Sequence, residues 1–312
     1  MTPQKPRILL LGAAGQVGRE LQASFDGFGD LTCADRKSAD FAHPEQLRDL
    51  VGHVAPDVIL NAAAYTAVDR AESEPSLAMT VNAEAPRVLA EEALRLDALL
   101  VHYSTDYVFD GANREPWTEA DTPNPLNVYG ATKLAGERAI ERTGCRRLVF
   151  RTSWVYGPHG SNFLFTMLRL ARERERLSIV NDQFGAPTSS IEIASATRKI
   201  VEGVLEGRFG REMDWTGIYH MTCADSTTWF GFAQAIFARA GRLHDGKLPQ
   251  LIPIATVDYP TPARRPRNSV LSNARLVERF GLRLAPWPVA LDAVMERLLS
   301  GAAGPDRSPD PS

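Results

Sequence analysis

Cysteine is scarce in this chain: three residues, Cys33, Cys145 and Cys223, among 312. Their spacing fits neither a disulfide framework nor a zinc-ligand set, which points to reduced core thiols in a cytoplasmic protein. Long apolar runs are missing as well. No segment is long enough to span a bilayer, and the N-terminus has no signal-type apolar stretch, because the run at 8–11 reads as a strand. There is no excess of one charge. A formal net charge of −3 argues against a surface built for nucleic acid or an anionic membrane, so an anionic ligand must be met by local arginines. No internal repeat is visible. With 44% hydrophobic and 23% charged residues, the chain is large enough for a nucleotide-binding domain plus a smaller domain sharing one cleft.

What is present begins with glycine. Gly12, Gly15 and Gly18 follow the apolar run Ile8-Leu9-Leu10-Leu11 and precede a helical stretch from about Arg19. Strand, glycine turn and helix are the setting of a dinucleotide loop, although the spacing is G-x-x-G-x-x-G rather than G-x-G-x-x-G. The first glycine permits the turn, and the second lets backbone approach a pyrophosphate at the helix N-terminus. The third lets helix and strand pack closely. A second apolar stretch, Leu31-Thr32-Cys33-Ala34, ends in Asp35, near the distance expected of a ribose-binding acid. Arg36 and Lys37 follow it. The carboxylate suits the free ribose of NADH and the cations suit the phosphate of NADPH, so both cofactors are expected to be accepted.

Strand-like and helix-like runs then alternate. Val58-Ile59-Leu60-Asn61 leads into the small residues Ala62, Ala63 and Ala64, followed by Tyr65 and Thr66. A helical stretch runs from about Val81 to Leu96. The run from Leu99 to Ser104 delivers Thr105 to a strand end, and Arg147 to Thr152 is another strand. This alternation predicts a Rossmann-type, doubly wound parallel α/β sheet whose ligands lie beyond the carboxyl ends of its strands, with a smaller C-terminal α/β substrate domain. The expected boundaries are residues 1–155 for the dinucleotide domain and 156–300 mainly for the substrate domain, some segments returning to the first sheet. A Gly-, Pro- and Asp-rich tail at 301–312 is expected to be disordered. His102, in mid-strand, reads as a satisfied core histidine.

The chemistry centres on Tyr129 and Lys133, four residues apart and therefore on one helix face. An ammonium about 5 Å from the phenol would stabilise its anion by roughly 3 kcal/mol at an effective dielectric near 20, about two pKa units. Tyr129 could then exchange a proton with a carbonyl or alcohol oxygen that Thr105 also binds. In the second half, the charge run at 172–176 reads as a solvated helix face, and Ser226-Thr227-Thr228 as the cap of a helix from Trp229. The proline-rich segment carrying Arg264, Arg265 and Arg267 fits neither helix nor inner strand. It is either an exposed linker or a pyrophosphate clamp.

Several motifs together resemble the extended short-chain dehydrogenase/reductases. They are the glycine turn, Asn61-Ala62-Ala63-Ala64, Ser104-Thr105-Asp106-Tyr107-Val108-Phe109-Asp110-Gly111 and Pro125-Leu126-Asn127-Val128-Tyr129-Gly130. With Arg151-Thr152-Ser153-Trp154-Val155-Tyr156, Asn181-Asp182-Gln183, Gly185, Pro187-Thr188 and Arg265-Pro266, Asn268-Ser269, the chain is similar to the dTDP-4-dehydrorhamnose reductase family from about residue 7 to 298. The resemblance implies NADPH- or NADH-dependent reduction of a 4-keto dTDP-sugar to dTDP-L-rhamnose. It casts Tyr129 as proton donor, Lys133 as its modulator and Thr105 as a tuning hydroxyl. It places Gly12, Gly15, Gln16, Val17, Gly18, Asp35, Asp40, Phe41, Ala63, Ala64, Tyr65, Thr66 and Tyr103 along the dinucleotide with Tyr129 and Lys133. Thr105, Asp106, Trp154, Arg265 and Asn268 fall to the substrate. Related dehydratases carry a glutamate where Tyr107 stands, and Tyr107 cannot supply that carboxylate. Some members hold Mg²⁺ through carboxylates at a dimer contact. Glu20 matches one such position, but Ile191 and Arg297 fall where acids would be needed, which argues against Mg²⁺ and a metal-bridged dimer and leaves a homodimer open. The regulatory subunit of methionine adenosyltransferase shares much of the motif set and is the alternative, as is another 4-keto-sugar reductase.

Overall fold

The computed structural model describes residues 5–241 and 248–301, and the tail from 302 lies outside them. Six strands form one parallel sheet: β1 (Arg7–Leu11), β2 (Asp30–Ala34), β3 (Val58–Asn61), β4 (Leu99–Thr105), β5 (Arg147–Thr152) and β6 (Gly217–His220). Their order is β6-β5-β4-β3-β1-β2. Side chains alternate across the sheet. Ile8, Leu10, Val58, Leu60, Leu99 and Val101 pack with helices α1 (Gln16–Phe25) and, later in the chain, Ser190–Leu205. Leu9, Leu11, Ile59 and Leu100 pack on the other face with α2 (Gln46–Val54), α3 (Ala85–Leu96) and α4 (Val128–Thr143). Burial on both faces is why these strands read as continuous apolar runs, and each fully buried leucine or isoleucine contributes about 1.5–3 kcal/mol. The connections leave β1 and β3 in opposite directions, and the crevice at their carboxyl ends is the switch point where such sheets take ligands.

A second lobe surrounds Tyr156, Met167, Ile179, Phe232 and Val294. It consists of helices Phe163–Glu173, Trp229–Ala240 and Trp287–Leu299 and the parallel pair Arg176–Val180 and Gln250–Ile254. Thr228 caps the Trp229 helix by accepting the Gly231 N–H at 3.0 Å. The run at 172–176 is exposed, but only its first two residues are helical. Arg174 turns extended and Arg176 opens a strand, because pairing with Gln250–Ile254 overrides local helix propensity. The helical stretch before α3 also differs from a plain α-helix: Thr80–Glu84 is a π turn. There Asn82 accepts the Tyr65 N–H (2.9 Å) and donates to the Tyr65 carbonyl and to Thr132 Oγ1 (both 3.1 Å), tying the 62–66 loop to α4.

Candidate active site

One cavity of about 840 Å³ runs along the carboxyl edge of the sheet. At one end is the glycine turn. Gly12 has φ +74°, and a Cβ there would lie 2.6 Å from the Ala63 nitrogen. A Cβ on Gly18 would lie 2.1 Å from the Gly12 carbonyl oxygen, so only glycine lets α1 approach β1 this closely. Gly15, the N-cap of α1, offers no side-chain cap, which leaves first-turn N–H groups for an anion. Gly12, Gly15, Gln16, Val17, Asp35, Asp40, Phe41, Ala63, Ala64, Tyr65, Thr66 and Tyr103 all line the cavity, whereas Gly18 does not and acts through packing. Asp35 accepts the N–H groups of Lys37 (2.9 Å) and Ser38 (3.3 Å), which hold its carboxyl below the usual range. Arg36 lines the same end. A turn that fits a pyrophosphate, an acid and an arginine at one site fit a nicotinamide dinucleotide.

Tyr129 and Lys133 project from α4, whose N-terminus is fixed by Asn127. Its Oδ1 accepts the Gly130 N–H, and its Nδ2 donates to the Arg264 carbonyl (both 2.8 Å), locking the helix to the proline-rich strap. Both residues and Thr105 line the cavity. Burial pushes the Tyr129 phenol up to about 12, against a smaller opposing hydrogen bond from Thr105. The expected lowering by a neighbouring ammonium is therefore not found. Lys133 Nζ is committed elsewhere, donating to the Tyr103 carbonyl at 2.6 Å and lying 3.2 Å from His102 Nε2, while its burial pulls it down to about 8. Desolvation outweighs attraction at this site. His102 is a buried core residue, as read from the sequence, and its Nε2 touches Lys133.

Thr105 Oγ1 donates to Asp106 Oδ1 (3.0 Å) and accepts the Tyr107 N–H (3.1 Å), and Ser153 Oγ donates to Asp106 Oδ2 (2.8 Å). Asp106 lines the cavity, and burial pushes its carboxyl up to about 6. Trp154 lines the wall from a left-handed backbone, φ +47°, an uncommon conformation for a bulky residue. Its ring stacks on Trp229 with centroids 3.6 Å apart. A Cβ on Gly185 would come within 2.4 Å of the Trp154 ring. Trp229, in sequence the start of a capped helix, thus reaches the site from the second lobe, and nothing local to it signals this. Two expected substrate residues stand apart from the cavity lining. Arg265 directs its guanidinium at Asp69 (3.1 and 2.7 Å), and Asn268 donates to the carbonyls of Asn113 (3.0 Å) and Glu115 (3.3 Å).

At the position considered for a metal, buried Glu20 pairs with Arg297, Nη1 to Oε2 at 2.7 Å, and with His159 at 3.4 Å. Among the described residues no group of three or more His, Cys, Asp or Glu stands close enough to hold a metal ion.

Comparison with known proteins places this geometry. The RmlD substrate binding domain family matches residues 6–300. The chain is 49% identical over 298 residues to a dTDP-4-dehydrorhamnose reductase of Burkholderia thailandensis, covering 94% of this chain and 99% of that protein. It is 44% identical over 301 residues to the Escherichia coli reductase of the same name, covering 95% and 99%. Among solved structures, the Bacillus anthracis dTDP-4-dehydrorhamnose reductase in complex with NADP is similar with a TM-score of 0.86 at 34% identity, over 94% of this chain and all of that one.

Proposed function

We infer the function from one premise: the chain belongs to the RmlD substrate binding domain family, and its near full-length relatives are dTDP-4-dehydrorhamnose reductases. It is an oxidoreductase that uses NADPH or NADH to reduce the 4-keto group of dTDP-4-dehydrorhamnose, giving dTDP-L-rhamnose for cell-surface polysaccharide. The observation that carries the mechanism is the half-buried Tyr129 in the same cavity as the glycine turn, its phenol kept in the protonated form by desolvation. Free cysteines, and no helix among the described residues able to cross a membrane, support a cytoplasmic enzyme.

The glycine turn, Asp35 and Arg36 would hold the dinucleotide, with Ala63 to Thr66 along its length. The bound cofactor supplies hydride to the carbonyl carbon. Reduction by hydride builds negative charge on the carbonyl oxygen, so the protein must hold a proton there rather than remove one. A phenol kept protonated by burial is suited to that task. As it gives up its proton, the Thr105 hydroxyl, which rests on Asp106 Oδ1, would turn its proton to the phenolate and stabilise it. Lys133, on the same helix face, adds positive charge when protonated. Asp106 and the Trp154–Trp229 wall would position the sugar. The remaining inventory, one proton donor without a second acid–base carboxylate at Tyr107, suits simple reduction better than elimination.

The test is loss of nicotinamide absorbance with enzymatically generated dTDP-4-dehydrorhamnose. Wild type should turn over, and Tyr129→Phe should lose about a hundredfold or more in kcat, the range for removing a general acid. Nucleotide binding without turnover by the wild type would instead support the regulatory-subunit reading.

A further inference from the structure

His102 is a fully buried titratable residue that the proposed reaction does not use, and its surroundings dictate where its proton sits. Its Nδ1 lies 3.0 Å from Nδ2 of Asn61, its cross-strand partner on β3, and its Nε2 lies 3.2 Å from Lys133 Nζ. Asn61 is oriented from its far side, because its Oδ1 accepts the Ala63 N–H at 3.2 Å. The amide NH₂ therefore faces the ring and donates to Nδ1. A neutral imidazole that accepts at Nδ1 carries its single proton on Nε2. That N–H points at Lys133. An ammonium has three donors and no acceptor, so it would meet the ring donor to donor, whereas an amine offers a lone pair.

We propose that Asn61 and His102 are a positioning pair acting through Lys133, holding its Nζ against the Tyr103 carbonyl and coupling its charge to the tautomer of the imidazole. With Lys133 an amine, the chain runs from the Ala63 N–H through Asn61 and His102 to Nζ, every group satisfied. Charging Lys133 adds one proton overall. Nε2 passes its proton to Nζ, Nδ1 takes one from the medium, and the ring stays neutral. The Asn61 amide must then turn its oxygen to Nδ1 and release the Ala63 N–H. Ala63 lines the cavity and touches the glycine turn, so the charge on Lys133 is tied to the loop that faces the dinucleotide.

His102 faces Lys133 from β4. Tyr129 and Glu137 lie on its own helix, and β3 contributes only the neutral Asn61. Glu137, which favours the ammonium, is held by Arg151 of β5 through two hydrogen bonds of 3.0 and 2.7 Å. Burial keeps His102 neutral, well below its usual range, so the ring responds by moving its proton rather than by gaining charge.

The proposal rests on the reading of Tyr129 and Lys133 as the reacting pair, but its first test needs no turnover. Nitrogen NMR of the full chain labelled at histidine should show His102 protonated on Nε2 above pH about 8 and on Nδ1 below it, following Lys133. A single tautomer throughout that range would overturn the coupling, even in a chain with no reductase activity. In His102→Gln, whose amide can present oxygen to an ammonium at no cost, the titration of Nζ and the matching limb of kcat/KM should move up by about one pH unit. KM for the nucleotide sugar should stay within about twofold. A lower rate with an unmoved limb would mean that His102 merely fills space.

Discussion

Asp106 is the residue at which function and stability pull apart. Burial raises its carboxyl to about 6, while the hydroxyls of Ser269, Ser153 and Thr105 partly offset this. A folded-state pKa above the unfolded value means that the associated stability is present at low pH and is lost as pH rises through about 6. At neutral pH the ionised group is therefore a net cost to the fold. Ionised, it is an acceptor only, which suits sugar hydroxyls. Protonated, it presents a donor in their place. Wild-type kcat/KM should fall about tenfold per pH unit below pH about 6. Asp106→Asn should lack that limb, start from a lower plateau, and melt at a higher temperature than wild type at pH 7 but not at pH 4. Thermal melts and initial rates across pH check both halves, and an unchanged acid limb in the variant would remove Asp106 from the titration. Residues of this kind were legible in sequence, because Thr105 and Asp106 end a strand and Tyr129 and Lys133 share a helix face. The state of the phenol was not legible, since spacing measures distance between charges and says nothing of desolvation.

Among the elements, the glycine turn makes the sharpest contrast. Gly18→Ala places a methyl 2.1 Å from the Gly12 carbonyl oxygen, a backbone atom that no rotamer change can move. It should open the packing of α1 on β1, destabilise the fold by about 1–3 kcal/mol and weaken nucleotide binding by at least about tenfold in a fluorescence titration. Gly52→Ala, inside α2, meets nothing nearer than an Arg95 side-chain nitrogen at 3.9 Å. It should stabilise by about 0.5–1 kcal/mol through helix propensity and leave binding unchanged. Equal effects of the two changes would refute the packing argument. The strands of the large sheet were readable because both faces are buried and each is an apolar run closed by a turn. The π turn at Thr80–Glu84 was not, because it exists to let Asn82 reach the Tyr65 loop and α4, which a linear pattern does not encode. The strand Arg176–Val180 hid in a charge run for the same reason: its partner lies some seventy residues on, at Gln250–Ile254.

For the whole molecule, the question is what ties its last helix to its first. Glu20 on α1 is buried, and Arg297 on the helix Trp287–Leu299 meets it across nearly the full length of the chain. The guanidinium supplies at Glu20 the positive charge that a cation would otherwise bring, and with Arg297 in place the carboxylate has a partner at 2.7 Å. Chelators should accordingly leave both the reductase rate and the melting temperature unchanged. Arg297→Leu leaves the buried carboxylate facing His159 at 3.4 Å, and removing one partner of such a pair is costly, about 2–4 kcal/mol here, since the arginine is partly exposed. Adding Glu20→Gln to that variant takes away the stranded charge and should recover more than half of the loss. A double-mutant cycle by denaturant unfolding reads the coupling directly. If Arg297→Leu were neutral, or if Mg²⁺ restored its stability, the clasp would be either idle or replaceable by a metal, and the two lobes would owe their alignment to their other contacts, such as Asn162 on Gln16.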